Sequence, residues 1–81
     1  MMTDEELQEA IKDVENDVKS LSLSRPSGPF PQHEVKRREI ILLRPLTLYK
    51  IEEARKQGNK ELELLNTALY GLMTSFVESH K

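Results

Sequence analysis

The sequence predicts an all-α protein of three helices, or of four if Pro45 divides the middle helix. Two stripes of apolar residues with helical spacing lie near opposite ends of the chain. A proline-rich segment follows the first stripe, and neither a helix nor a central strand continues through such a segment. We therefore expect one small domain over residues 1–81, in which an N-terminal helix packs on an antiparallel helical hairpin formed by residues 32–79.

The first helix is predicted over residues 4–22. Thr3 and Glu6 have the spacing of a capping box, in which each side chain accepts a hydrogen bond from the other residue's backbone amide. The apolar positions are spaced 4, 3, 4 and 3, a heptad pattern typical of helices that pack on a partner surface. This first apolar stripe consists of Leu7, Ile11, Val14, Val18 and Leu21.

Residues 23–31 are predicted to be a linker, since the segment Ser22 to Pro31 holds three of the four prolines. It is long enough for the first helix to fold back on its own chain or to reach a second copy.

The middle helix is predicted over residues 32–57. At about 100° per residue, the four side chains from Ile40 to Leu43 point all round a helix, which predicts a segment buried on every side or a short strand. Helix is favoured, because the chain offers no second strand for pairing. Pro45 predicts a kink or a full break, after which Thr47 would cap a new helix.

The last helix is predicted over residues 60–79, after a turn in which Gly58 ends one helix and Asn59 begins the next. Its apolar positions are spaced 3, 4, 3 and 4, the strongest periodic signal in the chain. Gly71, in the same helix, either permits a close helix approach or is tolerated without a role. This second apolar stripe consists of Leu62, Leu65, Leu69, Leu72 and Phe76.

Composition excludes several classes of protein. The chain has no cysteine, which rules out a disulfide framework, thiolate zinc sites and thiol catalysis. The N-terminus is acidic where a signal peptide would be basic, and the longest apolar run has four residues. We expect a soluble intracellular protein, most simply cytoplasmic, with no membrane segment.

Charge is distributed unevenly along the chain. Residues 1–24 hold seven acids and two bases, a balance of −5; residues 25–57 hold four acids and eight bases, +4; residues 58–81 hold three acids and two bases, −1. Opposite charges in one small chain most simply attract each other, within the fold or across a dimer, although two separate partners would also explain them.

Catalytic and metal-binding motifs are absent from the sequence. It contains no nucleophile elbow, phosphate-binding loop or zinc-protease motif, and its only histidines, His33 and His80, are expected at the surface. We therefore predict no enzymatic activity, no catalytic residues, no metal site and no cofactor.

The predicted function is that of a helical protein–protein interaction module, an adaptor, small regulator or assembly subunit. Both apolar stripes are the predicted interface, and a homo-oligomer, with a dimer favoured, is the expected state. In the alternative arrangement, the two stripes face each other within one monomeric bundle. The alternative function is binding of nucleic acid or another anion through the basic middle segment, although a sequence pI of about 5.7 is low for that role. The basic residues in question are Lys36, Arg37, Arg38 and Arg44.

Overall fold

The computed structural model describes residues 2–23 and 31–79, with the backbone alone at Ser22 and Leu23. Its three α-helices are α1 (Asp4–Leu23), α2 (Gln32–Gln57) and α3 (Lys60–Ser79), and the described residues contain no strand. The predicted all-α class is thus confirmed, with three helices. Residues 24–30 of the predicted linker, and His80, lie outside the described residues.

The start of α1 is the predicted capping box. The backbone N–H of Thr3 donates to Glu6 Oε1 at 3.0 Å, and the N–H of Glu6 donates to Thr3 Oγ1 at 3.1 Å. Two amides that the helix leaves without carbonyl partners are satisfied in this way, so the helix begins at Asp4.

Helix α2 runs unbroken through Pro45. The prediction of a full break, with Thr47 capping a new helix, is therefore wrong: the Thr47 hydroxyl donates to the Leu43 carbonyl oxygen inside the helix, at 3.3 Å. Buried residues on both sides of Pro45, including Ile41 and Leu48, hold the two halves in one helix, since tertiary packing supplies most of a helix's stability.

The run from Ile40 to Leu43 is helical, as favoured, but it is not buried on every side. Ile41 is buried, whereas Leu42 and Leu43 are exposed. The reason is that α1 and α3 cover only part of the circumference of α2, so side chains that point all round the helix cannot all be buried.

The turn between α2 and α3 has the predicted chemistry. Gly58 adopts a left-handed backbone with φ of 69°, a conformation that glycine reaches without steric cost. Its N–H donates to Arg55 O at 3.2 Å, and the N–H of Asn59 donates to Ala54 O at 2.9 Å. Asn59 Oδ1 then accepts from the Leu62 N–H at 3.1 Å, which caps α3.

Helix α2 is the shared element of the fold, since both α1 and α3 pack along it. It runs antiparallel to α1, as the distant contacts Gln8–Glu52 and Asp17–Arg44 require. The core lies between these helices and is small. It consists of Leu7, Ile11, Val14, Leu48 and Ile51, with Met2, Ala10 and Tyr70 packed against it.

Candidate interaction surface

The first apolar stripe is used inside the chain. Leu7, Ile11 and Val14 are buried against α2, and Val18 and Leu21 are half-buried. The acidic first segment and the basic middle segment also form an ion pair at this contact, since Arg44 Nη1 of α2 donates to Asp17 Oδ2 of α1 at 3.1 Å. The stripe predicted as an interface between proteins is therefore an interface between α1 and α2.

The second apolar stripe is on the surface. The side chains of Leu65 and Leu72 are 67% and 69% exposed, and Leu69 is 42% exposed. Leu62 is also exposed, whereas Phe76 is half-buried. The two stripes therefore do not face each other, and the four leucines of the second stripe lie at the surface of the described structure.

Helix α3 contacts α2 through a different set of residues with the same 3, 4, 3, 4 spacing. Each member follows a residue of the second stripe by one position, which rotates the contact by about 100° around the helix. Three members are buried and the other two are half-buried. The set is Glu63, Asn66, Tyr70, Met73 and Val77.

Polar side chains of α2 explain this register of α3. Arg55 Nη2 donates to Glu63 Oε2 at 2.8 Å, and Arg44 Nη2 donates to the Tyr70 hydroxyl at 3.2 Å. The guanidinium carbon of Arg44 also lies 5.2 Å from the centre of the Tyr70 ring, within the range of a cation–π contact. Each contact pairs a buried charge, that of Arg44 or that of Glu63, and an unpaired buried charge is costly.

The same two arginines also bond to α1 and so tie the three helices together. Arg55 Nη1 donates to Asp4 Oδ1 at 2.7 Å, and its Nη2 donates to the carbonyl oxygen of Met2 at 2.6 Å. The hydrogen bond to Glu63, followed by that to Asp4, raises the pKa of Arg55 above its ordinary value. Arg55 is therefore a fixed positive charge at this junction.

Two exposed leucines of α2 lie on the same side of the hairpin as the second stripe. Thr47 of α2 contacts Met73 and so marks the direction of α3. Glu52 of α2 contacts α1 and lies about 140° from Thr47 in one sense around the helix. Leu46 lies about 100° from Thr47 in the opposite sense, away from α1. Leu43 lies on that same side as Leu46, at about 40°.

The second stripe lies on the corresponding side of α3. On α3, Met73 marks the direction of α2. Tyr70 packs against the core that α1 shares and lies about 60° from Met73 in one sense around the helix. Leu72 lies about 100° from Met73 in the opposite sense. The hairpin thus carries α1 on one side and an exposed apolar surface on the opposite side. This surface, the leucine face, consists of Leu43, Leu46, Leu62, Leu65, Leu69, Leu72 and Phe76.

Sequence reasoning missed Leu43 and Leu46 as members of this surface, because the uninterrupted run around them has no amphipathic pattern. It also missed the set that joins α3 to α2. The signal for that set was its spacing, which is the same as that of the leucines, but Glu63 and Asn66 have polar side chains and so did not count as core positions.

The basic residues predicted for an anionic ligand are mostly engaged within the chain. Arg44 is buried between Asp17 and Tyr70, and Glu34 accepts from Arg38 Nε at 3.2 Å and lies 4.0 Å from Arg37 Nη1. Lys36 is exposed. The structure therefore does not gather these four cations into one open surface.

Arg37 and Arg38 line a cleft of about 250 Å³ between the C-terminal part of α1 and the N-terminal part of α2. Asp17 and Glu34 line it as well, so two acidic and two basic side chains balance there. Its remaining lining residues are Ser20, Leu21 and Ile41.

In the described part of the chain, no group of three or more acidic or histidine side chains is placed to hold a metal ion. None of the three helices is long and apolar enough to cross a membrane. Comparison of this chain with protein-family models, with curated proteins and with solved structures finds no match.

Proposed function

We propose that this protein is a non-enzymatic helical interaction module, an adaptor, small regulator or assembly subunit that associates with itself through the leucine face. The observation that carries the proposal is the orientation of α3, which leaves Leu65 and Leu72 about two-thirds exposed while polar side chains face α2. An apolar surface of this kind on a soluble helical domain marks an association site.

The free energy gained by covering the exposed leucines is large enough to support association. Full burial of a leucine side chain contributes about 1.5–3 kcal/mol, so covering the six exposed leucines of one leucine face contributes roughly 5–9 kcal/mol. Two copies double this figure. The sum is comparable to the cost of association in translational and rotational freedom, about 4–15 kcal/mol, so covering both leucine faces is a large enough contribution to support a dimer.

The test is the native mass of the particle, measured by sedimentation velocity over a range of protein concentrations. The wild-type protein is expected to be a dimer at high concentration, and Leu69→Asp to be a monomer or to unfold. Leu64→Asp is the matched control, because Leu64 is also an exposed leucine of α3 but lies about 140° around the helix from Leu69. A folded wild-type monomer at every concentration overturns self-association.

Binding of nucleic acid or another anion has less support than self-association. Three of the four predicted cations already contact Asp17, Glu34 or Tyr70, and phosphate binding requires several cations on one open surface. An electrophoretic shift of DNA or RNA at low salt, lost in the Lys36→Glu and Arg37→Glu double variant, which leaves the buried Arg44 in place, would favour this alternative instead.

A further inference from the structure

One row of side chains on α2 indicates how the second copy is placed. Glu39, Leu43, Leu46 and Lys50 are spaced 4, 3 and 4, so they follow one line along the helix, and Glu39 and Lys50 are within about 20° of each other around it. All four side chains are exposed. Among the described residues, neither Glu39 nor Lys50 forms an ion pair.

This row is complementary to itself when it is read backwards. The spacing 4, 3, 4 is the same in both directions, and the order acid, leucine, leucine, base becomes base, leucine, leucine, acid. Two antiparallel copies of α2 would therefore place each glutamate opposite a lysine and each leucine opposite a leucine. A two-fold axis requires this relation: if a residue of one copy contacts a second residue of the other copy, the reciprocal contact must also form.

We propose that two copies of this chain dock leucine face to leucine face, with their α2 helices antiparallel about a two-fold axis that passes between Leu43 and Leu46. Glu39 then pairs with Lys50 of the partner subunit, and Lys50 pairs with the partner subunit's Glu39. This proposal rests on the proposed self-association and specifies its geometry. Helix α1 stays outside, on the far side of each hairpin.

The second stripe fits this placement. Thr47 of α2 contacts Met73 of α3, and because the two helices are antiparallel, the point between Leu43 and Leu46 is level with about residues 75 and 76 of α3. Phe76 therefore lies level with the two-fold axis, and Leu72 lies about one helical turn from it. The result is a four-helix bundle in which each hairpin contributes one layer, an arrangement that natural bundles use.

Charge reversal tests the geometry without disturbing the folded chain, because Glu39 and Lys50 are exposed. In homodimers of Glu39→Lys, or of Lys50→Glu, each ion pair becomes a repulsion between like charges, and we expect the dimer dissociation constant to rise about tenfold at low salt. An equimolar mixture of the two variants restores both pairs. It should form heterodimers with the wild-type dissociation constant.

The control is the same pair of reversals on α1, Glu9→Lys and Lys12→Glu, which lie on the far side of the hairpin and should leave the dissociation constant unchanged. A second test uses Leu72→Glu, which should abolish the dimer, against Leu64→Glu, which should not. Circular dichroism confirms that each variant keeps its helical content.

The outcomes separate the two proposals. A wild-type protein that stays monomeric overturns self-association and this geometry with it. The geometry is overturned, and self-association is not, if the dissociation constant of the dimer is insensitive to both charge reversals. The same conclusion follows if the mixture of the two variants binds no better than each variant alone. A dimer that survives Leu72→Glu shows that the copies meet at another surface.

Discussion

Arg55 of α2 holds Glu63 of α3 with two of its guanidinium nitrogens, Nε at 3.2 Å and Nη2 at 2.8 Å from the same carboxylate oxygen. Glu63 is the first buried residue of α3, and its side chain is only 7% exposed. A charge in such a position needs a partner with good hydrogen-bond geometry. This contact joins α2 to α3 in the register that turns the leucines of α3 outward.

Replacing Arg55 by methionine should lower the melting temperature, because the Glu63 carboxylate is left buried without its partner. Adding Glu63→Gln to Arg55→Met should recover part of the loss, since the unpaired charge is removed. Thermal unfolding at pH 7 and one fixed protein concentration measures both. A double variant less stable than Arg55→Met alone would contradict this account of the pair.

Leu48→Ala should destabilise the protein by about 2–5 kcal/mol, because Leu48 is fully buried in the core that joins α1 to α2. Leu64→Ala, the control at an exposed position, should change the free energy of unfolding by no more than about 0.5 kcal/mol. Urea unfolding measures both. Equal losses for the two variants would show that the core is not where the structure places it.

The two glycines next to and within α3 should respond to alanine in opposite ways. Gly58→Ala should cost about 1–2 kcal/mol, because φ of 69° strains a residue with a Cβ atom even though open space surrounds it. Gly71→Ala should stabilise α3 by about 1 kcal/mol, since no atom outside its own stretch of helix lies within 4 Å of the added methyl group. Of the two alternatives for Gly71, the close helix approach is not found within the described chain, whereas a glycine tolerated without a role agrees with the open space around it. A loss of stability in Gly71→Ala would instead indicate that another helix approaches closely at this position.

Acid should loosen the N-terminus of α1. The Thr3 N–H that donates to the Glu6 carboxylate, followed by the Thr3 side chain, lowers the pKa of Glu6 below its ordinary value of 4.5. A lowered pKa in the folded state contributes stability that is present above 4.5 and is lost as the pH falls through the folded pKa. An NMR titration of the Glu6 carboxyl should give a midpoint below 4.5. A midpoint at or above 4.5 would mean that the capping box does not form in solution.

Local chemistry made the helix ends predictable. Thr3 and Glu6, Gly58 and Asn59 act within one or two turns, so their sequence spacing alone specifies which backbone groups they satisfy. The passage of α2 through Pro45 was not predictable in the same way, because the buried residues on its two sides are held by packing against other parts of the chain.

The sequence by itself determined the helical class, the outer ends of the helices, the antiparallel hairpin and the presence of two apolar stripes, since each depends on short-range spacing. It left open whether Pro45 divides α2. Only the tertiary structure decided what each stripe faces. The stripe of α1 lies against Leu48 and Ile51, whereas that of α3 lies outside. A rotation of α3 by about 100° would bury the leucines in place of the set that begins at Glu63. Periodicity cannot distinguish these two orientations of α3, because both sets of residues have the same spacing. In the observed arrangement Arg55 meets Glu63 and Arg44 meets Tyr70, partners that can be recognised only once the helices are packed together.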